Sequence, residues 1–110
     1  MREFVVTQEN FHKEIEKAKE PVLLIFWKHG DALCLRQRII GSRLASVHNE
    51  FTVGSVCCNE EPYLANRFGI CMEPGRKLPA VILMMRGSAR CGKHHFMTQR
   101  EIEKMISKFI

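Results

Sequence analysis

Val22-Leu23-Leu24-Ile25-Phe26-Trp27-Lys28-His29-Gly30-Asp31-Ala32-Leu33-Cys34 is the stretch on which the fold turns. Its first six residues are all apolar, too few for a helix of their own and apolar on both sides. Such a run predicts a central strand covered on both faces, and hence an α/β layer structure. After the polar break Lys28-His29-Gly30-Asp31, a helix is expected from about Ala32 to Val47, with Leu35, Ile39, Ile40, Leu44 and Val47 facing inward.

Upstream, Phe4 to Val6 make a short extended piece. Thr7 is placed to cap a helix by accepting a free backbone N–H of the first turn. Phe11, Ile15 and Ala18 share one face of that helix, and Pro21 stops it. Downstream, Phe51 to Cys58 predicts a strand, and Pro62 opens a short helix ending at Phe68-Gly69. A loop with Pro74 and Gly75 leads to Leu78-Pro79, and Ala80 to Met85 forms another strand. Arg86-Gly87 turns it into a hairpin partner near Ala89 to His94. Thr98-x-x-Glu101 is a capping box opening a last helix striped by Ile102, Met105, Ile106 and Phe109. The order is βαβαβαββα, with no linker, repeat or low-complexity stretch, so residues 1–110 form a single domain.

Composition narrows the classes. Seventeen basic and 12 acidic residues leave a formal charge of +5, spread along the chain rather than gathered into a basic arm. The aromatic residues sit inside apolar runs and make no stacking platform, so nucleic acid is not indicated as a partner. Neither a signal peptide nor a membrane helix is visible, which predicts a soluble, cytoplasmic protein without a membrane partner. Five cysteines are an odd number, poorly suited to a disulfide framework in a reducing compartment.

Several joints carry further information. Phe26-Trp27 stands four residues before Asp31-Ala32-Leu33-Cys34, which opens the second helix. Glu61-Pro62 is followed by Ala65 and Phe68-Gly69-Ile70; then come the bend Leu78-Pro79-Ala80 and the interval from Gly87 to Thr98. In this order they are similar to the landmarks of the thioredoxin family, which the chain resembles over nearly its whole length. The resemblance implies a thioredoxin-like three-layer sandwich, with a mixed central sheet of about five strands flanked by four helices. It also implies a cis proline at Pro79 and a peptide-binding groove at Gly30, Cys58, Leu78, Pro79 and His95.

The departures from the family bear on function. Asp31 holds the place of the nucleophilic first cysteine, Gly30 that of a tryptophan, and Leu33 that of a proline. Ile25 and Ser55 replace a buried aspartate and its lysine partner, His95 replaces a groove glycine, and Cys71 to Arg76 is an insertion before Pro79. Disulfide exchange needs an attacking thiolate and a second thiol to release the mixed disulfide. The carboxylate of Asp31 can do neither, although it can cap the helix. The expectation is therefore a module binding a protein or extended peptide in a redox or folding context, without ordinary reductase turnover. Two alternatives stay open. One is a thiol-disulfide oxidoreductase or redox sensor using Cys34 alone or paired with Cys71 or Cys58, with Asp31 and His95 as modulators. The other is a structural subunit of a larger complex. Cys91, His94 and His95 lack a second matching cluster, so neither metal nor cofactor is expected.

Overall fold

The structure, a computed structural model, describes residues 3–70 and 78–110. Five strands make one mixed sheet: β1 (Glu3–Val5), β2 (Val22–Trp27), β3 (Thr52–Cys57), β4 (Ala80–Met85) and β5 (Ser88–Lys93), in the order β1-β3-β2-β4-β5. β1, β3 and β2 run parallel, whereas β4 is antiparallel to β2 and β5 antiparallel to β4 at the edge. Three α-helices follow β2, β3 and β5: α1 (Ala32–Val47), α2 (Pro62–Arg67) and α3 (Gln99–Ile106). A fourth, single-turn π-helix spans His12–Glu16.

Side chains alternate across β2 and sort the core into two halves. Leu24 and Phe26 meet Phe11, Ile15, Leu64 and Ala65, from the π-turn and α2. Leu23 and Ile25 meet Leu44, Ala45, Ile102 and Ile106, from α1 and α3. Both faces of the apolar run are thus covered, which is why it carries no polar residue. No helix among the described residues is long and apolar enough to cross a membrane.

The first helix is shorter than the apolar spacing predicts. Thr7 and Asn10 cap each other's backbone N–H groups at 3.3 and 2.8 Å, and Asn10 Nδ2 donates to the Val5 carbonyl at 2.9 Å. Side chains bonded to the backbone in this way compete with helix hydrogen bonds, and helical structure begins only at His12.

The inward face of α1 also differs from expectation. Leu35, Ile39 and Val47 are exposed; Cys34, Gln37, Gly41, Leu44 and Ala45 are buried. Gly41 is there because the helix lies close against β2, and a Cβ at this position would overlap the Ile25 side chain. Gln37 is buried because it clamps the approach to α3. Its amide donates to the Met97 carbonyl and its carbonyl accepts the Met97 N–H, both at 2.8 Å.

The remaining joints follow local rules. Pro62 occupies the first turn of α2, where its missing N–H costs nothing. Arg86 and Gly87, at φ 53° and 80°, form the two-residue hairpin turn whose twist matches the strands. The Thr98–Glu101 capping box is complete. The Leu78–Pro79 peptide bond is cis.

Candidate functional site

β2 feeds α1 on one face of the sheet, and its neighbour β3 feeds α2 on the other. Loops leaving adjacent parallel strands for opposite faces open a crevice at the strands' carboxyl ends, the usual place for a site in an open α/β sheet. Residues 28–31 and 58–61 build this corner. Cys58 N–H donates to the Trp27 carbonyl at 2.8 Å, and His29 N–H donates to Asn59 Oδ1 at 2.8 Å, which ties the two loops together.

Asp31 is the N-cap of α1. Its backbone is extended and its Oδ1 accepts the Cys34 N–H at 2.9 Å. A carboxylate here also meets the positive end of the helix dipole, which favours its charge. Gly30 is exposed at φ +69°, a conformation that side chains with a Cβ rarely adopt. Lys28 Nζ stands 4.0 Å from Asp31 Oδ2 at the rim.

Cys34, one turn into the helix, is covered over. It is wholly buried, in the same core half as Cys58. Burial, joined by the Asp31 charge, pushes its thiol up to about 11, against a weaker opposing hydrogen bond from the Lys28 backbone. Cys58 is wholly buried too, not at a groove rim, and burial with the neighbouring Cys57 and Cys34 pushes it to about 12. Cys34, Cys57, Cys58 and Cys91 are all free thiols. Cys71, with the segment 71–77, lies outside the described residues.

The groove residues separate on inspection. Leu78 and Pro79 are buried. His95 lies in the exposed loop after β5, where its Nδ1–H donates to the Phe96 carbonyl at 2.9 Å. Its charge bears on Glu101, whereas the side-chain charges that bear on Cys34 are those of Asp31 and Lys28. Ile25 and Ser55 are partners in the β2–β3 register, and Gln37 is the sole buried polar side chain among the described residues. The carboxylate that does meet the Cys34 thiol is the half-buried Asp31, the helix cap.

A surface depression of ≈ 320 Å³ lies between Trp27, His29, Gly30, Asp31, Leu35 and Arg38. The Arg38 guanidinium sits 3.9 Å over the Trp27 ring. A larger depression of ≈ 440 Å³, at the opposite end of the sheet, is lined by Phe4, Thr52 and the charged Lys13, Glu14, Lys19 and Glu20.

One group escaped the sequence reading. His29 Nε2 lies 3.5 Å from Cys57 Sγ and 3.5 Å from Glu60 Oε2. The signal for it was the parallel pairing that sets Trp27 beside Cys57, since the turns after both strands then share one end of the sheet.

No model of a known protein family matches this chain, and no curated protein sequence matches it.

Proposed function

We propose that this chain is a thioredoxin-like protein that has given up two-cysteine turnover and binds an extended protein segment at the carboxyl end of β2. The observation that carries the reading is the start of α1. There the capping position is filled by the Asp31 carboxylate, and the remaining cysteine, Cys34, is buried with its thiol pushed to about 11. A helix N-terminus lowers the pKa of an exposed cysteine, but here that field is spent on a carboxylate.

The strand order β1-β3-β2-β4-β5 and the Leu78-Pro79 bend beside β2 support the family resemblance behind this reading. The depression at Trp27, Gly30 and Arg38, flanked by exposed Leu33 and Leu35, offers an apolar patch with polar edges for a bound segment. Affinity would come from backbone hydrogen bonds beside Pro79 and from side chains seated on that patch.

The test sets wild type beside Asp31→Cys in reduction of a protein disulfide by excess dithiol. Wild type is expected to stay at the uncatalysed rate, while Asp31→Cys gains measurable turnover. Catalysis by wild type overturns the reading. For the binding arm, short extended peptides are titrated against isotope-labelled protein. Amide shifts should cluster at Gly30, Asp31 and His95, and shifts confined to other regions refute the assignment of the groove.

A further inference from the structure

His29, Cys57 and Glu60 bring three different donor atoms to one point at the corner of β2 and β3. Nε2, Sγ and Oε2 all lie within 4.8 Å of one another. Among the described residues no other trio of His, Cys, Asp or Glu brings its donors so close. We propose that these three residues form a zinc site, with water as the fourth ligand. The proposal is independent of the peptide-binding reading.

The spacing carries the argument. Tetrahedral zinc with Zn–S of about 2.3 Å and Zn–N of about 2.0–2.1 Å holds sulfur and nitrogen about 3.5 Å apart, and nitrogen and carboxylate oxygen about 3.4 Å apart. The structure has 3.5 Å for the Nε2–Sγ pair and 3.5 Å for the Nε2–Oε2 pair. An ordinary exposed His–Glu ion pair accounts for the second distance, and a weak sulfur–imidazole hydrogen bond for the first. Neither contact by itself requires all three donors to converge within 4.8 Å, as they do here.

The support around the site is built in. Cys57 is the last residue of β3, nearly buried and held in register beside Trp27. Cys57 and Glu60 are spaced by a tight turn in which Glu60 N–H and Glu61 N–H both donate to the Cys57 carbonyl, at 3.1 and 2.8 Å. The His29 backbone is tied to Asn59, and its ring stands edge-on to Trp27 at 5.2 Å, 85° between planes. Both loops are therefore set before any ion arrives, which lowers the ordering cost of binding.

Donor chemistry selects the metal class. Imidazole and thiolate suit zinc rather than magnesium or calcium, which take oxygen ligands. On binding, the Cys57 thiol loses its proton to solvent as the Zn–S bond forms, and His29 coordinates through neutral Nε2. One thiolate and one carboxylate balance the dication. With His29 and Glu60 more than half exposed, at 57% and 69%, the fourth position faces water. Three protein ligands and an open position are the arrangement of zinc sites that activate water or accept a further ligand.

The test uses the intact reduced chain and the metal alone. Cobalt(II) is titrated first, because a thiolate ligand gives charge-transfer absorption and a tetrahedral site gives visible d–d bands. Zinc is then titrated in competition. Trp27, the single tryptophan, is a second reporter beside His29. The expected result is one ion per chain, cobalt bands displaced by zinc, and affinity reduced at least about tenfold by His29→Gln and by Glu60→Gln. Both side chains are largely exposed, so these variants should keep the fold, with circular dichroism as the check; Cys57→Ser, closer to the core, removes the charge-transfer band. Cys91→Ser should bind like wild type. Binding without the thiolate band, binding unchanged in His29→Gln and Glu60→Gln, or binding abolished by Cys91→Ser overturns the proposal.

Discussion

Alkylation of Cys34 in the folded, fully reduced protein should be slow, and its rate follows from the structure. With the thiol at about 11, roughly one molecule in a thousand carries the thiolate at pH 8. An ordinary exposed cysteine, with pKa about 8.5, is about one-quarter ionised there. The deficit is about 240-fold. A more basic thiolate is intrinsically more nucleophilic, with a Brønsted slope of about 0.4–0.5, so 2.5 pKa units return about a factor of 13. Protonation alone therefore leaves Cys34 about 20-fold slower than a free thiol. Complete burial adds to this, because reagent reaches the sulfur only when the first turn of α1 opens. The assay is iodoacetamide labelling across a pH series, quenched and read by peptide mass mapping, with denatured protein as reference. Asp31→Asn should speed Cys34 only modestly, since burial is the larger cause of the raised pKa. A native Cys34 that labels within about threefold of the denatured protein at pH 8 would refute the buried-thiol reasoning and favour the alternative of a single-thiol enzyme or redox sensor.

Three further outcomes test the packing and electrostatics. Gln37→Leu strands both the N–H and the carbonyl of buried Met97; urea unfolding should register a loss of at least about 2 kcal/mol, and less than 1 would mean that water or a shifted chain replaces the clamp. Gly87→Ala forces a Cβ into the left-handed region and 2.8 Å from the Glu16 carbonyl oxygen. Its expected cost is about 1–3 kcal/mol by thermal or urea unfolding, and a neutral variant would contradict the turn geometry. His48 is raised above its ordinary 6.5, first by its hydrogen bond to Glu103 and then by Glu50, and Glu103 is lowered below 4.5, first by His48. The histidine's contribution is full below about pH 6.5 and fades as pH rises through its raised native value. The Glu103 contribution is present above about pH 4.5 and fades as pH falls through its lowered native value. Wild type should therefore exceed His48→Gln in stability by up to about 1 kcal/mol near pH 5.5, and by less at pH 8.5. The opposite trend in unfolding midpoints would show that the pair does not bind the proton.

Particular residues show how far the sequence reaches. The strand Val22–Trp27 was legible because a short run with no polar residue has few other places to go than the middle of a covered sheet. The hairpin at Arg86-Gly87, the α2 start at Pro62 and the Thr98–Glu101 cap were legible because backbone geometry and local hydrogen bonds operate within four residues. Asp31 as a helix cap belongs with them. Cys34 was legible as a candidate, either buried and inert or reactive, but the choice between the two was not, because the groups that cover it come from other parts of the chain.

What only the tertiary structure decided is the outcome of long-range contacts. Helix α1 has apolar residues around much of its circumference, so periodicity could not choose its inward face. The choice came from β2, whose Ile25 side chain packs against Gly41, and from Met97, which needs both ends of the Gln37 amide across 60 residues of chain. The meeting of His29 with Cys57 spans 28 residues and depends on β2 and β3 being parallel neighbours. Sequence alone determined the strands and the caps at Asp31, Pro62 and Thr98, because those energies are local, but not the first helix, where Thr7 and Asn10 bond to the backbone instead. Which side chains share a site was left to the packing of strands and helices, where each face is chosen by its neighbours.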